Sequence, residues 1–443
     1  MIRSLRTGIS GLKVNQVRMD VIGNNIANVN TAAFKRSRVA FNELLGQRLL
    51  GLGRSSGGSG INPASIGNGV AVGSVDQDWS QGSFEYTNIG TDLALSGDGY
   101  FIANGSEGNV LTRAGNFTFN AEGELVTAGG LAVQGWSYNA DGTINTGQLQ
   151  NIRLDLDVNA APEETENVSA AGNLSADVIP YDPNDPDAQV GDSQVTVSTV
   201  IYDDQGQAHT LVLTLQKVDR TDVPPADLDP AAEDVWQVAT AEIANEADPD
   251  NPTPVTIGEG TPQFLQFGTD GQLLGDASEI DLGTAGDLFP GSDRDEVDIT
   301  LNLSSITQYG GSTTAAISDQ DGQAAGRLIG YGIDPSGTLS LSFSNGEQRN
   351  IAQIAIGMVN NPNGLEQLGE NFYGVTSASG DLTIGRAGQE VSTAVISGAL
   401  EASNVDLANE FTDMIVTQRG YQASARVITT SDELLQEVVS LKR

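Results

Sequence analysis

The sequence predicts a multidomain, mainly β protein with long N- and C-terminal α-helices forming a coiled-coil-like pair, and nested β-domains between them. Three observations predict this. Apolar residues recur every seven positions at both ends of the chain. Short runs rich in Val, Leu, Ile and Thr, punctuated by Gly-containing turns, fill the space between. An acidic stretch of different composition interrupts those runs.

The N-terminal helix is read over residues 2–29. Leu5, Leu12, Met19 and Ile26 repeat at seven-residue spacing, and Ile9 and Ile22 widen the stripe into a narrow apolar seam. Gly8, Gly11 and Gly23 each cost about 1 kcal/mol of helix propensity relative to Ala. That cost is tolerable where packing needs close backbone approach. The C-terminal helix is read over about 404–441, with Leu400, Leu407, Met414, Tyr421, Ile428 and Leu435 as its repeat. Phe411, Ile415, Val438 and Val439 broaden the stripe. Ser403 followed by Asp406 reads as the helix start, a variant of the capping box. The first helix is basic and the second mildly acidic, which favours pairing the two ends of one chain.

Four regions follow. Residues 1–30 with 400–443 form the paired terminal helices, and 31–70 form a linker or transition region, with Leu50 to Gly60 linker-like in composition. Residues 71–150 with 321–399 form one β-domain, its strands separated by turns at Gly97-Asp-Gly99, Ala121-Glu-Gly123 and Ala140-Asp-Gly142. Residues 151–320 form an inserted acidic β-domain. Within it, Val195 to Tyr202 and His209 to Val218 read as a hairpin over Asp203-Asp-Gln-Gly206. Nesting of this kind brings the two chain ends together.

Charge and composition exclude several functions. The net charge is −37, spread unevenly. Residues 1–60 carry nine basic and two acidic side chains, and residues 151–300 carry four basic and 32 acidic ones. So acidic a surface repels nucleic acid and anionic lipid. No long apolar run marks a membrane insertion, and Arg3, Arg6, Lys13 and Arg18 break the continuity that a secretory signal peptide needs. There is no Cys, so disulfides and thiolate metal sites are impossible. His209 is the sole histidine and alternates with Leu211 and Leu213 on one strand face, a structural or surface position. No catalytic constellation or cofactor fingerprint can be assembled; Gly97-Asp-Gly99 is a turn. The acidic run from Asp182 to Asp187 with Asp192 lacks regular ligand alternation and reads as a solvated loop, with no metal assigned. The residues alone leave an assembly protein, a secreted β-rich ligand-binding module and an acidic secreted hydrolase as the readings.

Two motifs narrow the choice. Residues 10–36 contain Asn24-Asn-Ile-Ala-Asn28 and Thr31-Ala-Ala-Phe34-Lys35. The other end contains Gly398-Ala-Leu-Glu-Ala-Ser403-Asn404-Val-Asp406-Leu407 and Gln418-Arg419-Gly-Tyr-Gln-Ala423. Together they resemble the N- and C-terminal signatures of the flagellar rod and hook protein family. Asp92 to Phe101, Thr112 to Phe119 and Asn361 to Leu365 resemble its β-domain motifs. Where the family pattern has Gly, this chain has Ala33, which takes a positive φ only at a cost. The inserted domain is similar to that of the family's hook branch, with a distal rod-type paralogue as the alternative.

The resemblance implies a non-enzymatic subunit of a tubular homopolymer, without cofactors, outside the cell. It implies export by the flagellar type III apparatus and partners in the rod, the hook cap, the hook–filament junction protein and the export gate. Phe41-Asn-Glu-Leu44 resembles the short segment by which family members engage that gate, and reads equally as ordinary core.

Overall fold

The computed structural model describes residues 2–50, 64–105, 108–139, 141–155, 157–181, 190–224, 228–245, 248–254, 264–274, 279–284 and 298–440. The run Asp182 to Asp187, and the linker-like run apart from Leu50, lie outside them. The chain forms two compact units. The first comprises Met1–Leu156, Tyr331–Leu341 and Gln348–Arg443; the second comprises Asp157–Gly330 and Ser342–Glu347. Both chain ends therefore belong to the first unit.

In the first unit, helix α1 spans Ile2–Ala27 and helix α2 spans Leu407–Ser440. The strand Gln348–Met358 organises the β-part. It pairs antiparallel with Gln134–Ser137, Thr383–Arg386 and Tyr100–Gly105. Six consecutive residues of this strand, Ala352 to Gly357, are buried. Neighbours on both faces explain why its buried residues do not alternate; Gln353 is the polar one among them, and its amide donates to the Ser336 carbonyl at 2.9 Å. The core around it includes Leu93, Phe101, Phe117, Leu125, Ile354, Ile356 and Val395, with Phe101 and Phe117 edge to face at 5.0 Å between ring centres.

The expected turns form where they fall on described residues; Ala140 lies outside them. At Asn120 the side-chain oxygen accepts the amides of Glu122 and Glu124, and Gly123 takes the positive φ of 77° that closes the turn. Within the 31–70 stretch, Ser37–Glu43 is a strand paired antiparallel with Val70–Gln77. This hairpin lies against α1, where the Ser10 hydroxyl accepts the Val70 amide at 3.3 Å.

The second unit holds two sheets around one core. The strands Gln194–Tyr202, Ala208–Val218, Asp234–Asn245 and Phe264–Phe267 are successive antiparallel neighbours. Asp298–Tyr309 pairs with Glu279–Thr284 and, in parallel, with Asn167–Ser175. Leu211, Leu213, Leu215 and Trp236 from one sheet meet Val168, Leu174, Leu301 and Leu303 from the other. The expected hairpin is present, with strict alternation of buried and half-buried residues along Leu211 to Val218. His209 is buried at its start, its Nε2 3.2 Å from the Asp203 carboxylate that also organises the turn. Lys217, unusually for a lysine, is buried as well. Its ammonium donates to the Ala176 carbonyl at 2.8 Å and pairs with Asp234 at 3.2 Å.

Gly115 is required where the first unit packs most tightly, because a Cβ there would overlap the backbone carbonyl of Leu93. Leu93 in turn donates its amide to the Gly115 carbonyl at 2.9 Å. Gly115→Ala is expected to destabilise the first unit by about 3 kcal/mol. Urea unfolding followed through Trp79 and Trp136 would show it as a lowered midpoint.

Candidate assembly surface

Helices α1 and α2 lie side by side and antiparallel. Ser4 meets Ser431 at 3.2 Å, Arg18 meets Asp413 at 3.2 Å, and Asn25 meets Glu410 at 3.3 Å. The residues in the contact are Ser4, Gly8, Gly11, Asn15, Arg18, Ile22 and Asn25 on α1. Opposite them stand Glu410, Asp413, Thr417, Gly420, Ser424, Ile428 and Ser431. Both sets follow alternating three- and four-residue steps, apart from one step of four between Ser424 and Ile428, so each makes a stripe along its helix.

This differs from the apolar seam expected from the sequence. Of the residues assigned to that seam, Ile428 stands against Gly8 across the contact and Ile22 is buried, while the closest approaches are made at Gly8, Gly11 and Gly420. Glycine is the physical reason. A Cβ on Gly8 would lie 3.1 Å from Ile428, one on Gly11 2.9 Å from the Ser424 hydroxyl, and one on Gly420 3.1 Å from Asn15. With hydrogen as the side chain, the helices approach closely, and small polar groups then fit where Leu and Met do not. Gly23 plays no such part, since a Cβ there meets nothing within 4 Å.

The apolar repeats flank this contact. Leu5, Leu12, Met19 and Ile26 are half-buried and Ile9 is 41% exposed. On α2, Met414, Tyr421 and Leu435 are half-buried, while Leu407, Phe411 and Ile415 are 40%, 51% and 59% exposed. Helical geometry puts the repeats of both helices on the same side of the antiparallel pair. They make one apolar face across two helices, distinct from the flank of α1 that holds the Ser37–Glu43 hairpin.

The start of α2 also differs from expectation. Leu400 lies in the short strand Ala399–Glu401, paired with Phe84–Tyr86, and not in the helix. Ser403 is not the cap; its hydroxyl accepts the Val405 amide in the extended segment. Asp406 takes the capping role, its carboxylate receiving the amides of Ala408 and Asn409 at 2.9 and 3.2 Å. The helix begins later because residues 399–404 are held extended by strand pairing and by the bonds of Asn404.

Those bonds belong to a polar junction joining the two chain ends to the β-part. Lys35 and Glu401, both almost wholly buried, form an ion pair at 2.6 Å, and Arg113 approaches the second carboxylate oxygen at 3.4 Å. The Gly82 amide donates to the same carboxylate, and Lys35 donates to the Ser80 carbonyl. Burial pushes the Lys35 ammonium below its ordinary pKa, with the Glu401 carboxylate opposing that shift. Asn404 accepts the Arg36 amide at 2.8 Å and donates to the carbonyls of Asp78 and Ser80. Asn25 exchanges two bonds with the backbone of Ser37, at 2.8 and 2.9 Å.

The remaining motif residues fall into place around this junction. Asn28 donates back to Asn24 and accepts from Thr31, closing the C-terminal end of α1. Phe34 is half-buried, its carbonyl facing the Asn404 amide at 3.4 Å. Ala33 adopts a φ of 57°, so the chain makes here the left-handed turn that the family's Gly would make. Gln418 and Arg419 are exposed on α2. Phe41 is exposed beneath the Arg18 guanidinium, 5.9 Å from the ring centre, and Leu44 is exposed just past the end of the same strand. Glu401, Arg113 and Glu410 were not singled out from the sequence. The faint signal was a charge directly after a large apolar residue in each motif, Lys35 after Phe34 and Glu401 after Leu400.

Among the described residues no group of three or more His, Asp and Glu is placed to hold a metal ion, and no helix is long and apolar enough to cross a membrane.

Family models cover these elements in order. Residues 5–35 match the flagella basal body rod protein model, and 94–176 match the flagellar hook protein FlgE/F/G D1 domain. Residues 167–323 match the flagellar basal body protein FlaE D2 domain, and 396–441 match the flagellar basal body rod FlgEFG protein C-terminal model. Paired ends and a nested β-core with these matches define a flagellar protein of the rod and hook class. The chain is 36% identical over 475 residues to the flagellar hook protein FlgE of Treponema pallidum, covering 100% of both. It is 30% identical over 444 residues to that of Escherichia coli, covering 98% of both. The chain belongs to the flagellar hook protein family. The crystal structure of Helicobacter pylori flagellar hook protein FlgE2 has a similar fold, with a TM-score of 0.51 at 17% identity, over 72% of this chain and 100% of that one.

Gly11→Leu is expected to separate α1 from α2 and lower stability by about 1–3 kcal/mol, through overpacking at Ser424. Gly23→Leu at the open position is expected to change it by less than about 1 kcal/mol. Thermal melts of the two variants followed by helical circular dichroism would separate the cases.

Proposed function

We propose that this chain polymerises into a curved, flexible tube that acts as a universal joint between the basal-body rod and the filament. As a member of the hook family it is a structural subunit of the flagellar hook, exported outside the cell, and it polymerises there in association with the rod and basal body. The finer reading adds a layered arrangement. The terminal helices, 1–30 with 400–443, act as a coiled-coil-like pair lining the inner tube. The β-domain of 71–150 with 321–399 forms a middle shell, and the acidic insert of 151–320 faces outward. Residues 31–70 supply the transition between layers. Export runs through the flagellar type III apparatus without a cleaved signal, with Phe41 and Leu44 as candidate gate contacts. The hook cap and the hook–filament junction protein are the further partners.

The observation that carries this reading is the open apolar face of the helix pair. Ile9, Leu407, Phe411 and Ile415 of this face stand exposed in the single chain, and burying them against other copies yields roughly 25 cal/mol per Å². A contact between unlike faces of identical subunits propagates as a helix wherever its rotation does not close into a ring. A soluble ligand-binding module has no use for such a face.

Phe411→Ser combined with Ile415→Ser is the direct test, because both side chains are exposed in the single chain. The variant is expected to keep its melting temperature within about 2 °C and to form no tubes by electron microscopy. Normal tubes from it would remove the support for the reading.

Acidic inserts repel their own copies, and we propose that outer contacts stay weak enough to slide while the helices hold. Raising salt from about 0.01 to 1 M shortens the screening length from roughly 30 to 3 Å. Tube curvature or bending stiffness is expected to change over that range. A flat response in both would rule out electrostatic sliding.

A further inference from the structure

We infer that Glu401 is a closure latch, through which docking of the C-terminal segment permits the N-terminal motif to seat. Three stretches distant in sequence meet at this carboxylate: Lys35 from the N-terminal motif, Arg113 from the β-part, and the strand Ala399–Glu401 that carries it. The junction holds two cations and one anion, with Lys35, Arg113 and Glu401 all at least nine-tenths buried. Without Glu401, seating Lys35 places an ammonium and a guanidinium together away from water, with the one carboxylate that contacts both removed. That state is strongly disfavoured, so residues 31–37 stay undocked.

Three neighbouring bonds share this direction, while the Asn404 amide runs the other way, to the Phe34 carbonyl at 3.4 Å. The Ala33 amide donates to the Glu401 carbonyl at 2.7 Å, the Arg36 amide to Asn404 at 2.8 Å, and Asn25 to Glu410 at 3.3 Å. In each case the N-terminal segment supplies the donor and the C-terminal segment the acceptor. The N-terminal motif keeps other bonds that do not involve the C-terminal segment, among them those between Asn25 and Ser37 and between Thr31 and Asn28, so the latch acts on top of them. Arg113 differs, because the carbonyls of Gly97 and Gly99 hold it at 2.7 and 2.9 Å irrespective of the chain end. The β-part is thus poised with one bound cation, and the C-terminal strand must supply the anion before the second can enter. A chain lacking its last segment would fold its β-part and keep its N-terminal motif open.

The latch acts within one chain, so hydrogen exchange on the monomeric full-length protein tests it independently of polymerisation. Glu401→Gln keeps the shape and removes the charge. It is expected to speed exchange at the amides of Ala33, Arg36 and Ser37 by at least about 100-fold. The core amides of Phe101 and Ile354 are expected to change by less than about 3-fold. Lys35→Met combined with Glu401→Gln removes the uncompensated cation and is expected to restore at least about 10-fold of the lost protection. Three outcomes overturn the inference: unchanged exchange at Ala33, Arg36 and Ser37 in Glu401→Gln; loss spread equally to Phe101 and Ile354, which marks a general core role; or no recovery in the double variant.

Discussion

Close approach of two helix backbones is the constraint on which the rest of the structure depends. Gly8, Gly11 and Gly420 remove the side chains that would hold α1 and α2 apart. Once the axes are close, only small or polar groups fit between them, and Ser4, Asn15, Ser424 and Ser431 fill the contact. The larger apolar residues are displaced to the flank, where Phe411 and Ile415 stand exposed. Had the contact been built from Leu and Met, as in an ordinary two-helix seam, the helices would have consumed their own apolar surface. The same glycines that weaken each helix alone go with Phe411 and Ile415 being left uncovered in the single chain.

The junction completes what the helices begin. A small polar helix contact of this kind is weak, because hydrogen bonds exchanged with water contribute only about 1 kcal/mol each. Lys35, Glu401 and Arg113 instead impose a penalty on any arrangement in which one of them is buried alone. The terminal segments are held less by attraction along the helices than by the cost of leaving the junction unpaired.

Much of the β-architecture was legible. The alternation from His209 to Val218 announced a half-covered strand. Asp-Gly and Glu-Gly turns fell where positive φ is needed. The helix contact was not legible, for a definable reason. A seven-residue repeat fixes a stripe on a helix but not what that stripe faces, and periodicity read from apolar residues is blind to a contact made of Gly, Ser and Asn. The helix start failed for a related reason. Ser403 and Asp406 both qualify as caps locally, and strand pairing of Glu401 with Phe84, at a distance of 317 positions in sequence, decides between them. The junction lay beyond reach because its three charges are far apart in sequence and each looks ordinary alone.

The two kinds of contact at the chain ends suit different tasks. Polar contacts inside the chain are directional: Asn404 satisfies Arg36, Asp78 and Ser80 in one geometry only. They fix how the ends of a single subunit meet. The apolar face across α1 and α2 is nearly indifferent to small shifts, because burial depends on area rather than on alignment. A joint that bends while turning needs both properties in different places, a rigid subunit and a forgiving contact between subunits. Exchanging them would defeat the purpose. An apolar junction would let the subunit itself deform, and a polar face would lock each neighbour into one register. The placement of glycine on the inner stripe and of Phe and Ile on the outer one gives this division a basis in side-chain size alone.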